Sequence, residues 1–170
     1  MKIVSFNINS VRARPHQLEY IRDHLDPDII GLQETKVHDD EFPLELINEI
    51  GYHCEYWGQK GHYGVALLSK KKPLEVSKGF LKDTDEDQKR FIQGKYKFKN
   101  DDIYILNGYF PQGENRNHEI KFPKKIKFYK DLKSHIQKLQ KCSSNIIVMG
   151  DFNVAPSKKD IGIGENNSKR

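Results

Sequence analysis

Cysteine is scarce in this chain. Cys54 and Cys142 lie far apart and outside any CxxC pair, which excludes a disulfide framework and offers no zinc-finger spacing. No apolar run approaches the ~20 residues that a bilayer crossing needs. The N-terminal stretch MKIVSFNIN turns polar by Asn7, so neither a membrane span nor a signal peptide is expected, and a cytoplasmic location is. A G-x-x-x-x-G-K-[ST] phosphate loop is missing, as is an HExxH helix, so neither P-loop hydrolysis nor zincin chemistry is supported. Internal repeats and low-complexity linkers are absent too. The 170 residues that remain have ordinary globular composition and the length of a single domain.

Acidic residues are missing from one place in particular. Between Lys121 and Lys141 there are eight lysines and one acid, Asp131, so this segment carries +7 of a net +5 and the remainder of the chain carries −2. A solvated helix face is the plain reading of such a stripe. A surface that displaces counterions from a phosphate backbone is the sharper one.

Apolar runs of four to six residues recur, in IVSFNI, DIIGLQ, YGVALLS, IYILNGYF and NIIVMG, with helical patterns between some of them. The pattern predicts an α/β domain. A first helix is expected in RPHQLEYIRDHL, with Pro15 in its first turn and Leu18, Ile21 and Leu25 on one face. A second, PLELINEIG, ends at Gly51 in the place of a left-handed cap. A third begins near Pro123 and buries Ile126, Tyr129, Leu132, Ile136 and Leu139. In the middle of the chain, strand-like segments follow one another without a long helix, which predicts antiparallel pairing. The run DTDEDQKR between two of them reads as a charged surface loop.

Four of the apolar strands end in polar side chains. They deliver Asn7 and Asn9, Gln33 and Glu34, Asn107 and Tyr109, and Asp151 and Asn153. Residues two apart on an extended segment point to one side, so strands lying side by side would bring these ends to a common rim. Each has a dull explanation: an Asn after a strand is ordinarily a turn former, a Glu there is solvated, and a Tyr packs with a wet hydroxyl. Repetition at four strand ends favours a site. Glu34, Asn7 and Asp151 make a hard-oxygen donor set, suited to Mg²⁺ or Mn²⁺ rather than zinc or copper, and such sites leave positions open for phosphate oxygens. Phosphoester chemistry is the expectation, with a carboxylate such as Asp151 handling a proton while amide or phenol donors brace the phosphate.

The strings SFNIN, RARPHQL, IIGLQETK, GQKGHYGVALLS, NGYFPQGENR, KFPKK, MGDFN and DIGIGE together resemble the bacterial exonuclease III branch of the exonuclease/endonuclease/phosphatase superfamily. The resemblance runs from Met1 to Arg170. It implies a two-sheet β-sandwich flanked by helices, a four-layer αββα arrangement. It also implies a Mg²⁺-dependent enzyme, Mn²⁺ substituting, that trims 3′ ends of double-stranded DNA, clears 3′ blocking groups and incises at abasic sites. On the matching motifs, Asn7 and Glu34 would hold the metal with Asp151 and Asn153 beside it. Tyr109 and Asn153 would bind the phosphate, and Asp151 would serve the attacking water or the leaving oxygen.

Members of that branch continue beyond this point into a segment with a Ser-Asp-His pattern, which supplies a catalytic histidine and aspartates. No such segment occurs in these 170 residues. The expectation is therefore a single domain, residues 1–170, truncated at its C-terminus, impaired as an enzyme and monomeric if complete. Two alternatives stand beside it: a non-catalytic remnant that binds DNA through the lysine segment, and a phosphatase of the same superfamily.

Overall fold

The computed structural model describes residues 1–84 and 86–160. The polar stretch DIGIGE, from Ile161 onward, lies outside the described residues. Eight strands and three helices follow in the order β1 (Ile3–Asn7), α1 (Pro15–Leu25), β2 (Ile29–Gln33), α2 (Leu44–Glu49), β3 (His53–Trp57), β4 (Val65–Ser69), β5 (Glu75–Lys78), β6 (Phe91–Phe98), β7 (Asp101–Tyr109), α3 (Lys121–Leu139) and β8 (Ile146–Asp151). They build two four-stranded sheets, ordered β1-β2-β4-β3 and β5-β6-β7-β8. The middle strands pair antiparallel, as their succession without helices predicts, while β1–β2 and β7–β8 are parallel. Each parallel pair is joined by one of the longer helices, α1 or α3, because parallel neighbours need a crossover.

Three apolar layers hold the sandwich together. Between the sheets, Ile29, Val65 and Leu67 meet Ile92, Tyr96, Ile105 and Met149. Outside the first sheet, Leu18 and Ile21 of α1 and Ile47 of α2 cover Ile30, Leu32, Ala66 and Leu68. Outside the second, Phe128 and Leu132 of α3 cover Phe91, Leu106 and Phe110. Covered on both faces, β2 and β4 are buried at every residue, which is why their sequences run apolar without alternation. The four-layer αββα arrangement is thus present.

Helix faces differ from the expected stripes in two details. Leu25 is 43% exposed, because Asp26 turns left-handed (φ 43°) and ends α1 just where that side chain would reach the sheet. In α3, Phe128 is buried and Ile126 is 39% exposed, so the helix sets its larger apolar residue against the sheet. Its start is Lys121, two residues before Pro123.

Candidate functional site

Alternation along the strands carries polar groups to one end of the sandwich interior. The inward positions of β1, β2, β7 and β8 include Ile3, Ile29, Ile105 and Met149, so Asn7, Gln33, Asn107, Tyr109 and Asp151 at even spacing share that side. β1 and β8 belong to different sheets yet pack together at one flank. Their last residues meet: Asn7 Nδ2 donates to Asp151 Oδ2 at 2.9 Å and to Glu34 Oε1 at 2.8 Å. One amide therefore joins two carboxylates brought from the two sheets.

Glu34 follows inward-facing Gln33 and would by alternation point away. Its left-handed backbone (φ 55°) reverses that direction, a conformation costing roughly 1–2 kcal/mol in a non-glycine residue. The carboxylate is held by Lys36 Nζ at 2.8 Å as well as by Asn7, and the Tyr109 phenol interacts with it from the end of β7. Burial pushes the Glu34 carboxyl up, but these three groups outweigh it and hold it below its ordinary value. Burial first, then the interaction with Glu34, pushes the Tyr109 phenol up to about 12, so it stays a donor at neutral pH. The strand that carries Asp151 is fixed by Gly150, whose φ of 145° and closeness to the Gly108 carbonyl leave no room for a Cβ.

Other polar strand ends do different work. Asn107 is fully buried between the sheets rather than on the rim. It accepts from Gln33 Nε2 at 2.6 Å and donates to the carbonyls of Leu32 (2.9 Å) and Ala66 (3.0 Å), tying β7 to β2 and β4. Asn153 also has a left-handed backbone (φ 50°), and it donates from Nδ2 to the Phe110 carbonyl at 2.9 Å. It lies beside the carboxylates, its backbone N–H bonded to Asp151 Oδ1 at 3.1 Å, while its amide nitrogen faces the β7 loop. Asn9 donates its backbone N–H to Asn7 Oδ1, and its side-chain oxygen accepts from Lys36 Nζ.

Beside the carboxylates opens a cleft of about 360 Å³ lined by Tyr63, Arg90, Tyr109, Gln112, Lys121 and Lys124. The lysine stripe thus divides. Lys121 and Lys124, in the first turn of α3, face the cleft, whereas Lys125 donates to the carbonyls of Gln112 (3.1 Å) and Asn153 (2.8 Å) and Lys127 pairs with Asp131 at 2.7 Å. Lys36, Tyr63 and Arg90 carry no periodic signal and escape a motif reading. Arg90 sits in the run DTDEDQKR, and only the string GQKGHYGVALLS hinted at the loop that holds Tyr63.

The family described as Endonuclease/Exonuclease/phosphatase matches residues 4–170. The chain belongs to that family. It is 52% identical over 170 residues to exodeoxyribonuclease III of Haemophilus influenzae, covering all of this chain and 64% of the relative. Among solved structures, the 3′ phosphatase NExo from Neisseria, bound to a product DNA hairpin, superposes with TM-score 0.84 at 30% identity over 92% of this chain and 59% of that one. An AP endonuclease from Archaeoglobus fulgidus gives TM-score 0.80 at 36% identity over the same shares. The chain therefore spans less than two thirds of the length of these family members. Among its described residues no helix is long and apolar enough to cross a membrane.

Proposed function

We propose that this chain carries the carboxylate and phosphate-facing groups of a divalent-metal-dependent DNA phosphodiesterase of base-excision repair, acting in the cytoplasm as a monomer. Its substrate is double-stranded DNA with 3′ ends or abasic sites. Exonuclease, abasic-site incision and 3′-phosphatase activities all fall within that reading. The observation that carries it is the meeting of Glu34 and Asp151 on Asn7, beside a cleft lined by Arg90, Lys121 and Lys124. The named activities of the Haemophilus, Neisseria and Archaeoglobus relatives support it.

The donor set suits a hard cation: two carboxylates share one amide nitrogen, and a cation would replace that nitrogen as their common partner. Glu34 and Asp151 would hold Mg²⁺ or Mn²⁺, with Asn7 contributing an oxygen once its amide turns over and Asn153 at the margin. When bound, the metal supplies charge to polarise a phosphoryl oxygen. The remaining work belongs to side chains. Tyr109, protonated throughout the physiological range, donates to a phosphate oxygen. Lys121 and Lys124 draw the DNA backbone into the cleft, and Asp151 accepts or returns the proton of water or leaving oxygen.

The test is incision of abasic duplex DNA by the 170-residue chain with Mg²⁺, beside an inositol phosphate as rival substrate. Mg²⁺-dependent incision is expected, lost by about 10²-fold or more in Glu34→Gln and Asp151→Asn. Turnover should lie far below that of full-length relatives, since groups acting as a unit fail together and this chain spans only part of their length. Hydrolysis of the inositol phosphate alone would overturn the reading. Salt-sensitive DNA binding without incision would assign the chain to the non-catalytic alternative.

A further inference from the structure

Arg90 is the most buried cation on the cleft wall, and burial depresses its pKa below the usual arginine range. Its guanidinium sits in the wedge between two phenol rings, 4.2 Å from the centroid of Tyr63 and 4.6 Å from that of Tyr109, while the rings themselves are 6.3 Å apart and tilted by 43°. Nη1 donates to the Tyr109 carbonyl at 3.0 Å and Nε to Gln88 Oε1 at 2.7 Å. Gln88 in turn donates to the Tyr63 hydroxyl at 2.8 Å. The Tyr109 N–H donates back to the Arg90 carbonyl at 2.7 Å, so these two residues are tied through backbone and side chain alike. Around them close three segments: the loop before β4 through Tyr63, the entry to β6 through Arg90, and the exit of β7 through Tyr109.

We propose that Arg90 is a positioning residue for Tyr109, whose ring it clamps so that the phenol keeps its place beside Glu34. Two of its five N–H groups and its contacts to both rings are already committed inside the protein, which fixes the plane of the guanidinium against Tyr109. A planar guanidinium can meet two ring faces and fork hydrogen bonds at once; an ammonium keeps the charge but loses the plane and the fork. A cation serving only as a phosphate contact would tolerate lysine. A clamp would not.

This inference rests on the nuclease reading for its kinetic consequence but not for its structural one. The experiment compares wild type, Arg90→Lys, Arg90→Met, Tyr109→Phe and the Arg90→Met/Tyr109→Phe double variant, with circular dichroism to show that each folds. Crystal structures of the two Arg90 variants are read first. Both should show the Tyr109 ring and hydroxyl displaced from their wild-type place beside Glu34, and an unmoved Tyr109 in both would overturn the clamp. Kinetics on abasic duplex DNA with Mg²⁺ come second. Expected is a fall of about 10²-fold in kcat for Arg90→Lys, Arg90→Met and Tyr109→Phe alike, KM within about threefold, and a double variant no worse than either single change. Restoration by lysine, or a raised KM with kcat intact, would make Arg90 a phosphate contact instead. Should wild type fail to incise at all, the nuclease reading falls while the crystal structures still decide the clamp.

Discussion

At the scale of single residues, the site is held by groups whose partners come from other strands. Asn7 bonds to Glu34 and Asp151, and Asn107 bonds across the sandwich to Gln33, Leu32 and Ala66. The second set is dry and fully paired, so breaking it is costly: a buried group left without its partner loses about 1–3 kcal/mol. Asn107→Leu has similar volume but takes a donor from the Leu32 and Ala66 carbonyls and an acceptor from the Gln33 amide, which keeps Ser5 Oγ and the Gly31 carbonyl. Urea unfolding should show a loss of at least that size, with the slope unchanged. A loss below about 0.5 kcal/mol would mean that the network does not clamp the sheets. That strand ends would deliver Asn7, Tyr109 and Asp151 to a common rim was legible from even spacing, whereas Glu34 follows Gln33 by one residue and joins them through a left-handed backbone that spacing does not announce. That Asn107 would turn inward to bridge sheets was not, because its position on β7 has the same parity as Tyr109 and only the opposing strands decide between rim and interior. Arg90 was illegible for another reason: a clamp between two rings is made by residues distant in sequence, and nothing in DTDEDQKR marks one cation among its neighbours.

At the scale of elements, α3 shows how packing chooses among faces that the sequence offers. Phe128 and Leu132 lie against β6 and β7, and His135 continues the same face, bonded to Gln93 at 2.6 Å and edge-on to Phe80 and Phe91. Burial first, and then the nearby Lys138, lowers the His135 pKa from its ordinary 6.5. The sign of the consequence follows. Above pH 6.5 the imidazole is neutral in both folded and unfolded chains and contributes no pH dependence. Below it the unfolded chain takes up a proton that the folded one resists, so stability falls as pH drops through this value. Denaturation midpoints measured from pH 7.5 to 5.5 should decline more steeply for wild type than for His135→Gln, and equal slopes would contradict the burial of His135. The helix itself was readable from its 3.6-residue period. Four residues of its expected stripe, Tyr129, Leu132, Ile136 and Leu139, do pack on the sheet; only Ile126 gives way to Phe128, since both are apolar and the sheet beneath selects the aromatic.

Taken whole, the molecule has a pseudo-repeated plan: two mixed sheets, each with a parallel pair at one flank, set so that β1 and β8 lie together. Strand existence and the antiparallel middle could be read from run lengths. Strand order could not, because pairings such as β2 with β4 depend on which faces the helices cover. Among the described residues the outer edges of β1 and β8 carry no ladder partner, and their side chains are only partly buried although Ile3, Val4, Phe6, Ile146, Ile147 and Val148 are as apolar as those of β2. Those edges flank the carboxylates directly.

The central claim is that the two sheets together make one cation site. Titration of the chain with Mn²⁺, followed by calorimetry and by loss of the free-ion paramagnetic signal, tests it without requiring turnover. One site is expected in wild type, weakened at least tenfold by Glu34→Gln and equally by Asp151→Asn, since each removes one of the two carboxylates. Binding that survives both substitutions unchanged, or no binding by wild type, would contradict it.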